Sequence, residues 1–322
     1  MNYYCRRLVC GMALLAAVGL FSGGCTPSVP SQSSTPPTAT SSMVPLTYTA
    51  TDASGIVVTL ANSPKRIVSL GPSATEMVYA LGIFDRLAAV TTADDYPSEV
   101  SKLEKVGSID NPSLEKILAL QPDLVLAVFG NPMTLVENLR KQGVPVFGLN
   151  PETIPDVLID IRELGDLTGT RPQADKLVAG IEERIDSLQK KVATATATLP
   201  TVFLETWPQE PFYTFGRGTF GDDLVILAGG TNIANAIEEA YPALATEFIF
   251  FEDPQTIVLL YPPQEGSTGP KGREGWSQIA AVAAGRILQA ADPNVYLRPG
   301  PRIVQALDEL TRFLHPEWFV TP

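Results

Sequence analysis

The chain of 322 residues is 45% hydrophobic and 18% charged, and its formal net charge is -12. This length accommodates two folded domains of about 100 to 200 residues each, and the composition is that of a globular protein. The acidic balance argues against a nucleic-acid partner and favours solubility or docking onto a basic surface.

The N-terminus has the parts of a secretory signal. Arg6 and Arg7 precede an apolar run from Leu8 to Phe21, and small residues lead to Cys25. The alternative, a membrane-spanning helix, needs about 20 apolar residues, which is more than this run provides. Two glycines before Cys25 resemble a bacterial lipobox, although Ser22 stands where leucine is usual. We predict a lipoprotein signal peptide over residues 1–24, lipidation of Cys25, and a Ser/Thr/Pro-rich tether over residues 25–45.

Cysteine and histidine usage excludes several kinds of chemistry. Cys5 and Cys10 leave with the predicted signal and Cys25 would carry lipid, so the mature chain has no thiol nucleophile, disulfide or cysteine metal site. His315 is the only histidine, and we assign it a packing or capping role. The sequence also lacks G-x-S-x-G, G-K-[ST] and H-E-x-x-H. The many carboxylates leave catalysis open, but no constellation of residues calls for it, so we predict no catalytic residues and no metal ligands.

After the tether, the sequence predicts a hairpin and then alternating strands and helices. The hairpin covers residues 46–60 and turns at Asp52 to Gly55. Ser73 is predicted to cap the first helix, with Glu76 completing a capping box. Strands are predicted at 66–70, 87–91, 123–127 and 145–149, and helices at 73–82, 113–120, 133–142 and 155–168. This alternation is typical of a parallel sheet covered by helices.

A long helix is predicted from Arg171 to about Ala197. Apolar residues recur three or four positions apart at Leu177, Ile181, Ile185, Leu188 and Val192. Beyond it the alternation resumes, with strands at 201–205, 212–215, 256–260 and 286–290 and helices at 222–228, 246–252 and 301–314. The predicted fold class is α/β, with two lobes of mainly parallel sheets over residues 46–170 and 199–322 and a connecting helix over residues 171–198.

Two patterns point to surfaces rather than to the core. Glu115 in SLEKILALQPDLVLA and Glu247 in ATEFIFFEDPQTIVLL each open an apolar helix followed by a proline. Either carboxylate alone is explained by the helix dipole, worth about 0.3 to 1 kcal/mol, but the repetition suggests one docking point on each lobe. Aromatic residues also stand beside turn-forming residues, where they either plug the end of a sheet or face a ligand: Tyr96, Phe129, Trp207, Phe212, Tyr213, Tyr241, Trp276 and Tyr296.

The segment from Gly216 to Gly221 matches G-x-G-x-x-G, the dinucleotide-binding pattern. An export signal argues against a nicotinamide cofactor. We interpret the segment as a glycine-rich loop that faces a cleft.

Several segments resemble the helical-backbone class of ABC-transporter solute-binding proteins, which receive vitamin B12, ferric siderophores or haem. They are PKRIVSLGPSATEMVYALG, DDYP, SLEKILALQPDLVLA, AGGTNIA and RPGPRIVQALDELTRFLHPE, in the same order as in that class. The resemblance implies a ligand cleft between the lobes, and it implies that Glu115 and Glu247 dock into arginine pockets on the permease dimer. It further implies an exported monomer at the outer face of the cytoplasmic membrane or in the periplasm. Such a monomer has no cofactor and no enzymatic activity, works with a permease and its ATPase subunits, and touches the membrane only through its lipid.

Within this class the sequence is most similar to the vitamin B12-binding proteins, through SLGPSATEM, DYP and RPGPR. Trp207, Phe212 and Tyr241 fall where the aromatic ligand contacts of those proteins lie, whereas Ala93 and the Val128-Phe129 segment depart from them. A cobalt corrinoid is therefore the expected ligand. A ferric siderophore held by Arg217 and Arg298 is the alternative, and haem the next. The predicted ligand site is Pro72, Ser73, Tyr96, Phe129, Asn131, Trp207, Phe212, Arg217, Tyr241, Trp276 and Arg298.

Overall fold

The computed structural model describes residues 47–194, 198–263 and 269–319. The predicted signal peptide, the lipidation site Cys25 and the predicted tether lie outside these residues. Within the described ranges, no helix combines the length and the apolar composition that crossing a bilayer requires.

The first half of the described chain is a hairpin followed by alternating strands and helices. Its elements, in chain order, are β1 (Tyr48–Thr51), β2 (Val57–Leu60), β3 (Ile67–Ser69), α1 (Pro72–Ala80), β4 (Leu87–Val90), β5 (Glu104–Lys105), α2 (Leu114–Ala119), β6 (Leu124–Val128), α3 (Met133–Lys141), β7 (Val146–Leu149) and α4 (Ile154–Thr168). β1 and β2 pair antiparallel. The remaining described strands of this half form a parallel sheet in the order β5-β4-β3-β6-β7.

The strand β6 shows why helices cover both faces of this sheet. Leu124 and Leu126 lie in one core, with residues of α1 and α4, whereas Val125 and Ala127 lie in another, with residues of α2 and α3. Successive side chains of a strand point to opposite faces. An unbroken apolar run in β6 therefore needs a helical layer on each side, as in other parallel sheets.

The second half repeats this design after the long helix α5 (Arg171–Thr194). Its elements are β8 (Thr201–Glu205), β9 (Phe212–Tyr213), α6 (Phe220–Leu227), β10 (Thr231–Asn232), β11 (Ala243–Leu244), α7 (Thr246–Glu252), β12 (Thr256–Leu259), α8 (Ala280–Ala283), β13 (Ile287–Gln289), α9 (Asn294–Leu297) and α10 (Ile303–Leu314). Among the described residues, β10, β8, β12 and β13 form a parallel sheet in that order. β9 and β11 pair antiparallel beside it.

The helix α5 packs on both halves. α4 ends at Gly169, whose φ of 72° is the left-handed conformation common at helix C-termini, so the chain turns back and α5 lies against α4. There Ala174 packs on Gly165. A Cβ atom added to Gly165 would lie 2.5 Å from the methyl carbon of Ala174. Further along, Arg184 of α5 pairs with Asp308 of α10. The predicted fold class, two α/β lobes with mainly parallel sheets joined by one long helix, is confirmed.

One local prediction is wrong. The helix α1 is capped by Gly71 with extended backbone and no side-chain hydrogen bond, and Ser73 lies inside the helix after Pro72. The predicted capping box is therefore absent. Glu76 is only 2% exposed, and its carboxylate accepts hydrogen bonds from arginines of the second half. The strands β5, β10 and β11 were also not predicted, because two residues cannot show a periodicity.

Asp160 is an unusual buried group on α4. It is 7% exposed, and its Oδ2 atom has no hydrogen-bond partner in the part of the chain that the structure describes. Burial, together with the negative charges of Asp156, Glu163 and Asp52, raises the pKa of Asp160 to about 7. Nearby, Arg140 is bound to Asp52 at 2.8 Å, so its positive charge is shared with that carboxylate.

Replacing Asp160 with asparagine should stabilise the protein at neutral and higher pH. Between about pH 4 and pH 7 the folded protein keeps a proton that the unfolded chain releases, so the free energy of unfolding falls as pH rises through this window. Asp160→Asn removes the ionisation and should gain about 1 to 3 kcal/mol above pH 7, with the gain vanishing toward pH 4. Urea denaturation across this range measures it, with the exposed Asp186→Asn as the control. An equal difference at every pH would contradict the assignment.

Candidate functional site

A cleft with a volume of about 520 Å³ opens between the two halves. From the first half it is lined by the segments that follow the strands of the five-stranded sheet, and the carboxyl ends of parallel strands are where α/β folds place ligand-contacting loops. The lining residues of this half are Pro72, Ser73, Ala93, Ile109, Val128, Phe129, Leu149, Asn150, Pro151 and Glu152.

The second half supplies the opposite side from three segments. They contribute Arg217, Gly218, Thr219, Glu238, Ala240, Tyr241, Leu297, Arg298 and Pro299. A smaller hollow of about 200 Å³ adjoins the cleft and shares Pro151, Tyr241, Leu297 and Pro299 with it. Tyr213 adds a further aromatic ring there. The two spaces are therefore adjacent and share part of their lining.

Exposed aromatic rings give the site its apolar surface. Phe129, after β6, is 77% exposed, and Tyr241, before β11, is 52% exposed. A large apolar side chain so exposed loses the stabilisation that burial would give it. Two such rings from different halves in one cleft are suited to a ligand with a broad, partly apolar surface.

The glycine-rich segment forms a loop of the cleft, as interpreted from the sequence. Thr219 caps α6 by accepting a hydrogen bond from the Asp222 amide, and the Gly218 amide donates to Asp222 Oδ2 at 2.9 Å. Gly216 lies so close to the Glu239 carbonyl that an added Cβ would sit 1.9 Å from its oxygen. This packing fixes the backbone of the residue between the glycines, Arg217, at the wall of the cleft.

The structure brings part of the predicted ligand site together. Pro72, Ser73, Phe129, Arg217, Tyr241 and Arg298 line the cleft. Trp207 lies outside the lining and is 55% exposed, but it follows Thr206, which lines the smaller hollow. The roles of these residues in ligand binding stay predictions.

The other predicted residues have structural partners and do not line either space. Asn131 binds the chain around it, accepting from the Val128 amide and donating to the carbonyls of Leu70 and Ile109. Phe212 and Trp276 are buried in the second lobe, with ring centroids 5.1 Å apart.

Tyr96 also contacts protein groups. Its ring packs edge-on against Tyr79, with centroids 5.7 Å apart, and lies 4.1 Å from the Arg302 guanidinium.

Four polar residues of the cleft are absent from the predicted site: Asn150, Glu152, Thr219 and Glu238. The first two follow the carboxyl end of β7, and that position is the signal that points to them. Glu238 lies in a loop without a comparable sequence pattern.

A group of five charged residues, which we call the Glu76 cluster, joins the two halves beside the cleft: Glu76, Asp95, Asp292, Arg298 and Arg302. Arg302 binds Glu76 through two nitrogens, at 2.9 and 2.7 Å. Arg298 contacts Glu76 at 3.2 Å and Asp95 at 2.6 Å. The hydrogen bond from Arg298 lowers the pKa of Asp95. Two acidic groups of the first half and two arginines of the second thus bind each other across the division of the molecule.

The two glutamates predicted to dock are exposed and lie in the first turns of their helices. Glu115 opens α2, which Ser113 caps, and Glu247 opens α7. Their contact with a permease stays a prediction. Among the described residues, no cluster of three or more histidine, cysteine, aspartate or glutamate side chains could hold a metal ion.

The lobes, the connecting helix and the cleft define a class: bilobal binding proteins that hold a ligand between two α/β lobes. A family model described as periplasmic binding protein matches residues 67–293. The chain belongs to the periplasmic binding protein family, and the resemblance seen in the sequence is confirmed.

Individual proteins of known name are also similar. An uncharacterized ABC transporter substrate-binding lipoprotein of Bacillus subtilis (strain 168), YvrC, is 34% identical over 273 residues, covering 83% of this chain and 85% of that protein. A vitamin B12-binding protein of Pectobacterium atrosepticum is 36% identical over 201 residues, covering 61% and 71%. Among solved structures, the periplasmic heme-binding protein RhuT of Roseiflexus sp. RS-1 matches with a TM-score of 0.70 at 27% identity, covering 78% of this chain and 98% of that one.

Replacing Glu76 with glutamine should destabilise the protein strongly. The change leaves Arg302 and Arg298 facing a neutral amide, and breaking a buried ion pair in this way costs about 3 to 5 kcal/mol. Asp95→Asn is the matched control, because the side chain of Asp95 is 57% exposed and an exposed pair contributes about 0 to 1 kcal/mol. Guanidinium unfolding at neutral pH measures both. A loss for Glu76→Gln no larger than that for Asp95→Asn would contradict this view of the cluster.

Proposed function

We propose that this protein is the extracytoplasmic binding component of an ABC importer and that it captures cobalamin or a related corrinoid. The observation that carries the proposal is the cleft, in which Phe129 and Tyr241 from different lobes present exposed rings. A corrinoid offers a broad macrocycle with apolar edges and amide side chains. Polar groups such as Asn150 and Ser73, placed among the apolar lining residues, suit those amides.

Family membership supports transport, and the named relatives support the ligand. A protein that is 36% identical over 201 residues is a vitamin B12-binding protein, and the matching lipoprotein of Bacillus subtilis is a substrate-binding component of an ABC transporter. In the proposed role the protein delivers its ligand chemically unchanged and has no enzymatic activity. Lipid on Cys25 would hold it at the outer face of the membrane.

A ferric siderophore is the second candidate ligand and haem the third. The neighbouring haem-binding structure supports haem as a candidate. The properties of Tyr241, which lines the larger cleft, argue against haem. Burial and the charge of Glu152 raise the pKa of Tyr241, so the loss of its phenolic proton to bound iron would cost more free energy than usual. Tyrosine binds ferric iron as the phenolate, so the raised pKa of Tyr241 favours ring contacts over metal ligation.

Calorimetric titration of the purified protein with cyanocobalamin, ferrichrome and haemin tests the ligand. We expect cyanocobalamin to bind in the micromolar range or tighter. Phe129→Ala and Tyr241→Ala should each weaken binding by about tenfold, because each removes a ring from the cleft. Phe251→Ala is the matched control, since Phe251 is 82% exposed on α7 and does not line the cleft. Absence of heat with any corrinoid at tens of micromolar would overturn the proposed ligand.

Reversing the charge of both Glu115 and Glu247 should abolish transport and leave ligand affinity unchanged. The proposal places both carboxylates against basic sockets of the permease, and a lysine there would replace attraction with repulsion. Uptake in cells and affinity of the purified protein are the two measurements. Glu183→Lys is the control, because Glu183 is exposed on α5. Normal uptake by the Glu115→Lys, Glu247→Lys double variant would refute the docking role.

A further inference from the structure

The charged residues around the cleft differ in whether another protein group already binds them. Within the described residues, the groups with a full charge that line it are Glu152, Arg217, Glu238 and Arg298. The adjoining hollow is lined by none. What distinguishes the four is whether another protein group already binds them.

Both arginines are engaged. Arg298 binds Glu76 and Asp95 as part of the Glu76 cluster, and its side chain is 14% exposed. Arg217 pairs with Glu238 at 3.2 Å, and both side chains are more than half exposed. The first pairing is held in place by buried partners, whereas the second is a surface pair that water weakens.

Glu152 is the exception. Its carboxylate has no hydrogen bond or ion pair with any group in the described part of the chain. Its charge nevertheless acts inside the cleft, because it contributes to the raised pKa of Tyr241. Among the described residues that line the cleft, the charge that no other protein group compensates is therefore negative.

The backbone around Glu152 is fixed by both lobes. Its carbonyl accepts a hydrogen bond from the Phe220 amide, at the start of α6, at 2.6 Å. The Ile154 amide, at the start of α4, donates to Asp223 Oδ2 at 2.8 Å. A carboxylate on this short segment cannot move far from the cleft without breaking contacts between the lobes.

We propose that Glu152 determines which ligand charge the cleft accepts: it excludes anionic ligands and favours neutral or cationic ones that carry amide N–H donors. The inference rests on the proposed function, since it concerns the ligand of the same cleft. An anion that approached Arg217 would have to displace Glu238 and would then lie beside two uncompensated carboxylates. A ligand amide, by contrast, donates a charge-assisted hydrogen bond to Glu152.

The charge of Glu152 distinguishes the candidate ligands. Haem carries two negatively charged propionates, and an anionic ferric chelate has a net negative charge. The carboxylate of Glu152 would repel both ligands. Cyanocobalamin is neutral overall and its periphery is rich in amides. The arginines that would hold an anionic siderophore, Arg217 and Arg298, are those already bound to carboxylates.

The test compares two ligands of one shape and different charge. Affinities for cyanocobalamin and for its derivative with one amide hydrolysed to a carboxylic acid are measured with the unaltered protein, with Glu152→Gln and with the control Glu183→Gln. We expect the unaltered protein to disfavour the acid by roughly 3- to 20-fold at low salt, and less at high salt. Glu152→Gln should bring the ratio toward one, and Glu183→Gln should leave it unchanged. A ratio that Glu152→Gln does not alter would overturn the inference while the proposed ligand stands.

The role of Glu152 and the proposed ligand can fail separately. If no corrinoid binds, the proposed ligand fails, and the ratio is measured with cationic ferrioxamine B and its succinylated, anionic derivative. If the protein prefers the cation and Glu152→Gln abolishes this preference, the result would support the role of Glu152 in selecting ligand charge, without the proposed ligand. A preference that Glu152→Gln leaves unaltered would overturn that role. Tighter binding of haemin than of every neutral or cationic ligand, or binding of none of them, would overturn both.

Discussion

The buried ion pairs between Glu76 and the arginines of the C-terminal region govern the geometry of this protein. An isolated carboxylate buried to this degree is costly, and two guanidinium groups that arrive from the other half of the chain compensate it. The first α/β lobe therefore reaches its lowest free energy only when the second is docked beside it. This attachment lies at the margin of the cleft, because Arg298 belongs to the cluster and also lines the cleft.

Much of the architecture follows from patterns that a single segment contains. An unbroken apolar run such as β6 needs helices on both faces, and the spacing of apolar residues in α5 specifies one face of a long helix. These features are local, so the sequence predicts them well. Glu76 shows the limit: its spacing from Ser73 matches a capping box, yet its partners are more than 200 residues away in the chain. Ion pairing at that separation leaves no local pattern.

The residues of the site also divide into those that the sequence predicts and those that only the fold reveals. Residues that follow strands, such as Phe129 and Ser73, are found by asking where strands end. Aromatic residues beside turn-forming residues are ambiguous, because the same pattern describes Tyr241 in the cleft and Trp276 in the core. Which charges are already satisfied is settled only by the fold. Arg298 resembles a ligand contact in the sequence, but the structure engages it with Glu76 and Asp95.

The segment between β7 and α4 touches the start of α6 through the Glu152 carbonyl and the Ile154 amide, and the Glu76 cluster joins the lobes separately. With attachments at both places, the lobes have little freedom to move relative to each other. The ligand then binds in a cleft that is already formed. A receptor of this kind would show an importer nearly the same outer face whether full or empty. Unloaded copies would then compete with loaded ones for the same transporter, and the rate of uptake would depend on the ratio between the two populations.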